Sequence, residues 1–421
     1  MPVTQTRSTA SPNPRAACVQ ALQNWESGGK FADEVLHDAL AMGHFNAYDR
    51  AFLTETFYGV LRHRSALDFL IGKLRDSTLD PSTRQVLRLG FYQIFRMRIP
   101  YHAAVNETVN LAGRARGLVN ALLRRSIREK EELQRMLGET APSIRYSHPE
   151  FLIHRWEKNM DPQSAIQLCE WNNTPAEIFV RANGLRVTRD ELHSTSPSSE
   201  PSELHPLILK VRQVPFHWIM RGLCYVQDPS TLMAVELLDP KPGETVLDAC
   251  AAPGGKTSYM AELMRNEGRI CACDSSRPRL DRLRDNLNRL GVANTVTQRV
   301  DWMNQPSPYE PESFDRILID APCSNTGVIR RRVDVRWRLT PADFELMPGR
   351  QRRILDAVIP LLKQGGTLVY STCSLEPEED ERVAESVARD YPGLKLAAMN
   401  RREPPRDHMD GAFAAKFVKS A

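Results

Sequence analysis

Two cysteines and a run of aspartates mark the places where this chain could do chemistry. Asp320-Ala-Pro-Cys323 follows the apolar run Phe314–Ile319, and Ser371-Thr-Cys373 follows Thr367–Tyr370. A thiolate is a strong nucleophile when a lowered pKa or a nearby base lets it form, and cysteines that open covalent intermediates work this way. Upstream, Thr245-Val-Leu-Asp-Ala-Cys-Ala-Ala-Pro-Gly-Gly-Lys-Thr257 runs from an apolar stretch through a small-residue turn into helical spacing at Tyr259, Met260, Leu263 and Met264. A strand, a glycine turn and a helix let a ligand press against backbone N–H groups. A phosphate loop would need glycine where Cys250 stands, and the Gly-x-Gly-x-x-Gly dinucleotide spacing is absent. Asp274 lies roughly twenty residues beyond the glycines, where an acid can accept hydrogen bonds from ribose hydroxyls. Asp301, next to Trp302, follows a further strand candidate. Aspartates at strand ends often only cap helices, and a lone cysteine is usually inert. Five such sites, each after a successive strand, are harder to dismiss.

The elements that must position these residues alternate from Glu244 onward, which predicts a parallel sheet. Strands are expected at Thr245–Leu247, Arg269–Cys273, Thr295–Val300, Phe314–Ile319, Thr367–Tyr370 and Ala412–Val418. Helices are expected around Thr257–Arg265, Arg277–Leu290 and Pro348–Leu362. Ligands of such sheets bind outside the carboxyl ends of the strands, where the aspartates and cysteines cluster. Ahead of this domain, residues 15–137 read as all helix, with Cys18, Leu22 and Trp25 on one face and a break at Gly113–Gly117. Arg62, Arg64, Arg96, Arg98, Arg114, Arg116, Arg124 and Arg125 punctuate those helices, either as solvated faces or as RNA contacts. Residues 138–235 read as a small α+β linker domain with a strand at Ile178–Asn183, residues 236–421 as the α/β domain, and residues 1–14 as a loose tail.

Composition sets the outer bounds. The chain has 421 residues, 41% of them apolar, and a net charge of +4 that permits a nucleic-acid partner without requiring one. No apolar run approaches the ~18–20 residues of a membrane span, and no signal-peptide core follows Met1. The eight cysteines form no C-x-x-C pair, so no metal site is expected. A reduced cytoplasmic protein with no membrane partner fits best.

Asp248-Ala-Cys-Ala-Ala-Pro-Gly-Gly-Lys-Thr257, Asp320-Ala-Pro-Cys-Ser-Asn-Thr-Gly327 and Ser371-Thr-Cys-Ser374 resemble, in order, three signatures of the RsmB/Nop/Sun family of RNA 5-methylcytosine methyltransferases. The helical segment, with Leu118-Val-Asn-Ala-Leu-Leu-Arg-Arg125, resembles a NusB-like RNA-binding domain. The combination is similar to the bacterial branch acting on small-subunit (16S) ribosomal RNA. The resemblance implies an all-α NusB-like domain, an α+β linker and a Rossmann-like class I methyltransferase domain, with S-adenosyl-L-methionine as cofactor. It implies that Cys250, Ala251, Ala252, Pro253, Gly254, Gly255 and Lys256 pass beside the methionine part, that Asp274 holds the ribose, and that Asp301 meets the adenine. Asp320 would lie between cofactor and base. The expected partner is ribosomal RNA, free or partly assembled, and the protein is expected to be a monomer.

Carbon 5 of cytosine is a poor nucleophile, and a thiolate adding to carbon 6 turns the ring into an enamine. By residue type alone either Cys323 or Cys373 could be that thiolate. The resemblance implies Cys373 as nucleophile and Cys323 as an aid to product release. Arg330, Arg331, Arg332, Arg336, Trp337 and Arg338, then Arg350, Arg352 and Arg353, are expected to track a single strand whose target base is flipped out. The family usually carries a small residue at position 325, His-Pro at 332–333 and Asn at 380; Asn325, Arg332-Val333 and Asp380 depart from it. The competing readings are an inactive RNA-binding assembly factor and an antitermination factor.

Overall fold

Asn13 starts the first helix, Pro14–Glu26, by accepting from the backbone N–H groups of Arg15 and Ala16. Asp80 does the same for Pro81–Arg96 through the N–H of Thr83, with proline in the first turn where its missing N–H costs nothing. The computed structural model describes residues 13–420, so the tail expected over 1–14 lies, up to residue 12, outside the described residues. It comprises two units: residues up to Asn173 together with Arg332–Arg338, and Thr174–Arg331 with Leu339 onward.

Among the described residues, the elements of the first unit are all helices. Its core gathers Leu22, Leu53, Phe57, Val60, Leu67, Leu89, Phe91 and Leu123 from helices Pro14–Glu26, Ala47–Arg62, Arg64–Leu74, Pro81–Arg96 and Arg116–Arg128. The break expected at Gly113–Gly117 is a short 3₁₀ turn, Gly113–Ala115, between Tyr101–Asn110 and Arg116–Arg128. Arg332–Arg338 comes from far along the chain to complete this unit. Val333 is fully buried in its core, the Trp337 indole donates to Leu61 O at 2.8 Å, and Asp334 accepts from Trp25 Nε1 at 3.3 Å and Ala32 N at 2.9 Å.

The second unit holds two sheets. The smaller contains β1 (Ile178–Ala182), β2 (Ser199–Pro201), β3 (Ile208–Val211) and β4 (Cys224–Val226), antiparallel where they pair, in the order β2-β3-β1-β4. The larger contains β5 (Thr245–Asp248), β6 (Arg269–Asp274), β7 (Thr295–Arg299), β8 (Phe314–Asp320), β9 (Leu362–Thr372), β10 (Leu394–Arg402) and β11 (Ala412–Lys419). Its order is β10-β11-β9-β8-β5-β6-β7. Strands β5 to β9 run parallel, and β11 lies antiparallel between β9 and β10; the chain builds outward from β5 through β6 to β7 and then returns to β8 on the other side of β5, so the order reverses between β5 and β8. That is the switch point beside which sheets of this kind bind ligands.

Three elements differ from the sequence reading. The helix expected from Pro348 starts at Pro341, because Thr340 and Asp343 cap each other reciprocally there. Strand β10 was not foreseen: on this edge strand only Leu394 is fully buried, so there is no strong apolar alternation to read. The helix Glu381–Asp390 lies before it, packing Val383, Ala384 and Val387 inward.

Candidate active site

Strand β5 ends at Asp248, whose carboxylate is fully buried and accepts from Thr257 Oγ1 at 2.6 Å. Burial pushes this acid up to about 7, and its Oδ1 has no partner. The loop that follows is pinned along its length. Trp302 Nε1 donates to Ala249 O at 2.8 Å, the N–H of Ala251 to Cys273 O at 2.8 Å, Arg279 to Ala252 O at 2.6 Å, and Asn286 to Pro253 O at 2.9 Å. Gly254 then turns the chain with φ +107°, and a Cβ there would stand 2.7 Å from Leu283 Cδ1. Only glycine meets both demands. Helix Gly255–Leu263 begins at the next residue.

The remaining acids line the same rim. Asp274 ends β6 almost fully buried, with Oδ1 accepting from Ser276 N at 3.0 Å and Oδ2 3.3 Å from Arg279. Asp301 follows β7 and accepts from Met303 N and Asn304. Asp320 ends β8, paired with Lys256 Nζ at 2.6 Å and accepting from Ser371 Oγ at 3.1 Å. Burial lowers the Lys256 ammonium, but Asp320 more than offsets this and leaves it above its ordinary value.

Strands β8 and β9 are neighbours, with Asp320 opposite Ser371. Three residues past one and two past the other, Cys323 Sγ and Cys373 Sγ stand 3.3 Å apart. Cys323 is buried and Cys373 half-buried. The bond to Cys373, with burial, drives the Cys323 thiol well above its ordinary value. Asn325, at φ +60°, bridges the two: its Nδ2 donates to Cys323 O at 2.7 Å and its Oδ1 accepts from Cys373 Sγ at 3.2 Å. Behind the cysteines, the fully buried Glu379 accepts from Ser324 N at 2.9 Å, Ser374 Oγ at 3.0 Å and Gln351 Nε2 at 2.9 Å. Gly327 N donates to Cys373 O at 2.9 Å and Gly411 N to Gly327 O at 2.8 Å, so the two loops and the start of β11 are laced together.

The glycine loop, the aspartates and the two cysteines named from the sequence thus lie at the carboxyl ends of β5, β6, β7, β8 and β9. The basic stretch does not behave as expected. Arg336 is fully buried, donating to Asn173 Oδ1 at 2.8 Å and Asn172 O at 3.0 Å. Arg338 pairs with Asp334 and covers the Phe31 ring, and Trp337 is half-buried. Arg331 is clamped between Asp228 and Asp410 at 2.6 Å each, Arg330 is buried with a bond to Pro175 O at 2.6 Å, and Arg352 pairs with Asp356 and Asp390. Only Arg332, Arg350 and Arg353 are exposed. The stretch holds the fold together; a sequence of arginines cannot reveal that Arg331 is held by Asp228 and Asp410, both distant along the chain.

Arg181 was missed altogether. It is fully buried in β1, paired with Glu262, donating to Gln227 Oε1 at 2.9 Å and Ser258 Oγ at 2.8 Å, and its guanidinium covers the Tyr259 ring. An arginine inside the apolar strand Ile-Phe-Val-Arg-Ala was the available signal.

Comparison with known proteins agrees with this arrangement. Residues 235–418 match the model of the 16S rRNA methyltransferase RsmB/F family, residues 12–128 the NusB family, and residues 148–195 the ferredoxin-like domain of RsmF/B-like methyltransferases. The ribosomal RNA small subunit methyltransferase B of Citrobacter koseri is 37% identical over 88% of this chain and 91% of its own. The crystal structure of PH0851 superposes with a TM-score of 0.79 at 26% identity, covering 97% of this chain and all of that one. A methyltransferase homolog from Pyrococcus horikoshii is 32% identical with a TM-score of 0.57, covering 66% of this chain and 97% of its own.

The rim fits S-adenosylmethionine better than a phosphate-bearing nucleotide. The one lysine of the glycine loop is spent on Asp320, while Asp274 and Asp301 offer carboxylates suited to hydroxyl and amine donors. The unpartnered Asp248 Oδ1 adds a buried acceptor under the same loop. Sheet, glycine loop and acidic strand ends are those of a class I S-adenosylmethionine-dependent methyltransferase, with a NusB helical domain and a ferredoxin-like sheet before it. Within that class, the chain belongs to the RsmB/F family of small-subunit ribosomal RNA methyltransferases.

Proposed function

We propose that this protein methylates carbon 5 of a cytosine in small-subunit (16S) ribosomal RNA through a covalent adduct between Cys373 and carbon 6. The observation that carries this reading is the pair of cysteines, 3.3 Å apart, beside the Asp320–Lys256 pair on the rim of a methyltransferase sheet. S-adenosylmethionine, when bound, supplies an electrophilic methyl group. The residues assigned to hold it are Cys250, Ala251, Ala252, Pro253, Gly254, Gly255 and Lys256 along the loop, with Asp274, Asp301 and Asp320.

Cys373 adds as a thiolate to carbon 6, and the ring electrons pass toward carbon 5, which becomes nucleophilic. Asp320, oriented by Lys256 and Ser371, hydrogen-bonds the N3 and amino edge and helps the ring accept those electrons. After methylation the proton on carbon 5 passes to water, the 5,6 double bond re-forms and the Cys373 thiolate leaves; Cys323 assists this release by donating its S–H to the departing sulfur. The elevated Cys323 thiol supports this division, because Cys323 then remains the S–H donor and Cys373 the acceptor of the pair. The exposed Arg96, Arg98, Arg114, Arg116, Arg124 and Arg125 of the helical unit are assigned to RNA phosphates, whereas Arg62 is buried there and Arg64 half-buried. The substrate is free or partly assembled RNA, and the enzyme acts as a cytoplasmic monomer.

The test uses purified protein, methyl-labelled S-adenosylmethionine and small-subunit RNA from a strain lacking the gene, followed by nucleoside analysis. Labelled 5-methylcytidine at one position is expected. Label in any other nucleoside would overturn the assignment.

A further inference from the structure

The bonds around the two sulfurs form a closed ring. Cys373 gives its proton to Asn325 Oδ1 at 3.2 Å, so the proton between the sulfurs, 3.3 Å apart, must come from Cys323. Asn325 Nδ2 closes the ring on Cys323 O at 2.7 Å, and that bond fixes which end of the amide faces Cys373. The backbone at Asn325 is left-handed, φ +60°, ψ +25°, a conformation that asparagine tolerates and that β-branched residues do not. The amide carbonyl therefore faces the sulfur as an acceptor, which suits a thiol and opposes a thiolate.

We infer that Asn325 is a positioning residue that latches Cys373 in its protonated resting state, and that entry of the RNA base breaks the latch. The inference rests on the reading of Cys373 as the nucleophile. The charged and titratable groups acting on the sulfur pair are Cys323 from the same loop, Lys256 at the start of helix Gly255–Leu263, and Glu379 behind the loops. Lys256 and the Cys323 S–H both favour a thiolate on Cys373; the Glu379 carboxylate behind the loops opposes negative charge on the pair, and Asn325 is the group that opposes it in direct contact with the Cys373 sulfur. Opening needs only rotation of the asparagine side chain or displacement of its carbonyl by the incoming base. The thiol proton then leaves to solvent, and the Cys323 S–H stays in place to stabilise the anion.

The test is the rate at which iodoacetamide alkylates Cys373 in the full-length protein without RNA, read by peptide mass spectrometry across pH 6 to 9. One net hydrogen bond predicts that Asn325→Gly, which keeps the left-handed backbone, reacts roughly three- to tenfold faster at pH 7. Asn325→Ala should do the same, and Asn325→Asp, which places a full negative charge against the sulfur, should react more slowly than wild type. A merely structural role would change the melting temperature without this ordering across the three variants. An unchanged or slower Cys373 alkylation in both Asn325→Gly and Asn325→Ala would overturn the latch. Because alkylation involves no RNA, that failure is distinct from failure of the nucleophile assignment, which trapping of RNA adducts decides.

Discussion

Replacing Arg181 with methionine should destabilise the catalytic unit by about 3 kcal/mol at neutral pH, a loss that acid should largely remove. Arg181 is fully buried and its partner Glu262 is 5% exposed, so the substitution leaves a carboxylate with neither water nor cation. The N–H of Gly184, 3.2 Å away, still donates to it. The cheapest response is for Glu262 to bind a proton. Starting from its ordinary value of 4.5, that costs about 3.4 kcal/mol at pH 7. The figure falls within the ~3–5 kcal/mol typical of breaking a buried ion pair. The sign with pH follows. In the variant the folded carboxyl titrates above its unfolded value, so the folded state is penalised as pH rises and the cost at pH 5 falls to about 0.7 kcal/mol. In wild type burial already raises the Glu262 acid and Arg181 offsets only part of this, so a slope of the same sign is present there and should steepen in the variant. Amide hydrogen exchange in Gly255–Leu263 under increasing urea is the suitable assay, since a two-unit protein need not melt in one step. Arg181→Met with Glu262→Met should recover most of the loss. A deficit below about 1 kcal/mol, or one equal at pH 5 and pH 7, would refute the reasoning.

Cys373→Ala should abolish methyl transfer, whereas Cys323→Ala should accumulate a protein–RNA adduct that survives denaturing electrophoresis; an adduct in the Cys373 variant instead would reverse the two roles. Gly254→Ala combines a strained φ with a Cβ 2.7 Å from Leu283, and strain of ~1–3 kcal/mol predicts at least a fivefold weaker S-adenosylmethionine affinity by calorimetry. Arg336→Met should leave the salt dependence of RNA binding unaltered, because a fully buried guanidinium releases no counterions, while it lowers the thermal stability of the helical unit; a shallower salt slope would return Arg336 to the RNA.

The chemistry at the rim was legible because strand-to-helix loops carry it in short contiguous runs. Asp248 to Lys256 needs only local order to be read, as do Asp320 to Cys323 and Ser371 to Cys373. The class of fold followed from the alternation of apolar runs and helical spacing after Glu244. What could not be read was pairing over distance. Arg331 looks like a substrate contact until Asp228 and Asp410 come up on either side of it, and Arg181 looks incidental until Glu262 arrives from helix Gly255–Leu263. Glu379 is one acid in the run Glu378-Glu-Asp-Glu381, yet it is the buried acceptor that holds both cysteine loops. Strand β10 escaped because its apolar residues bunch at Leu396-Ala-Ala-Met399 instead of alternating with polar ones along its length.

The excursion of Arg332–Arg338 bears on how such a chain can be cut, copied or recombined. Seven residues in the middle of the methyltransferase sequence belong to the helical unit, where Val333 and Trp337 are covered by Leu61 and its neighbours. A fragment beginning at residue 174 would carry that segment stripped of its cover, with an indole and a buried arginine turned loose near the Cys323 loop. A fragment ending at residue 173 would keep a hole where Val333 sits. Gene fission at the linear boundary therefore damages both halves, and the two units are expected to be inherited together.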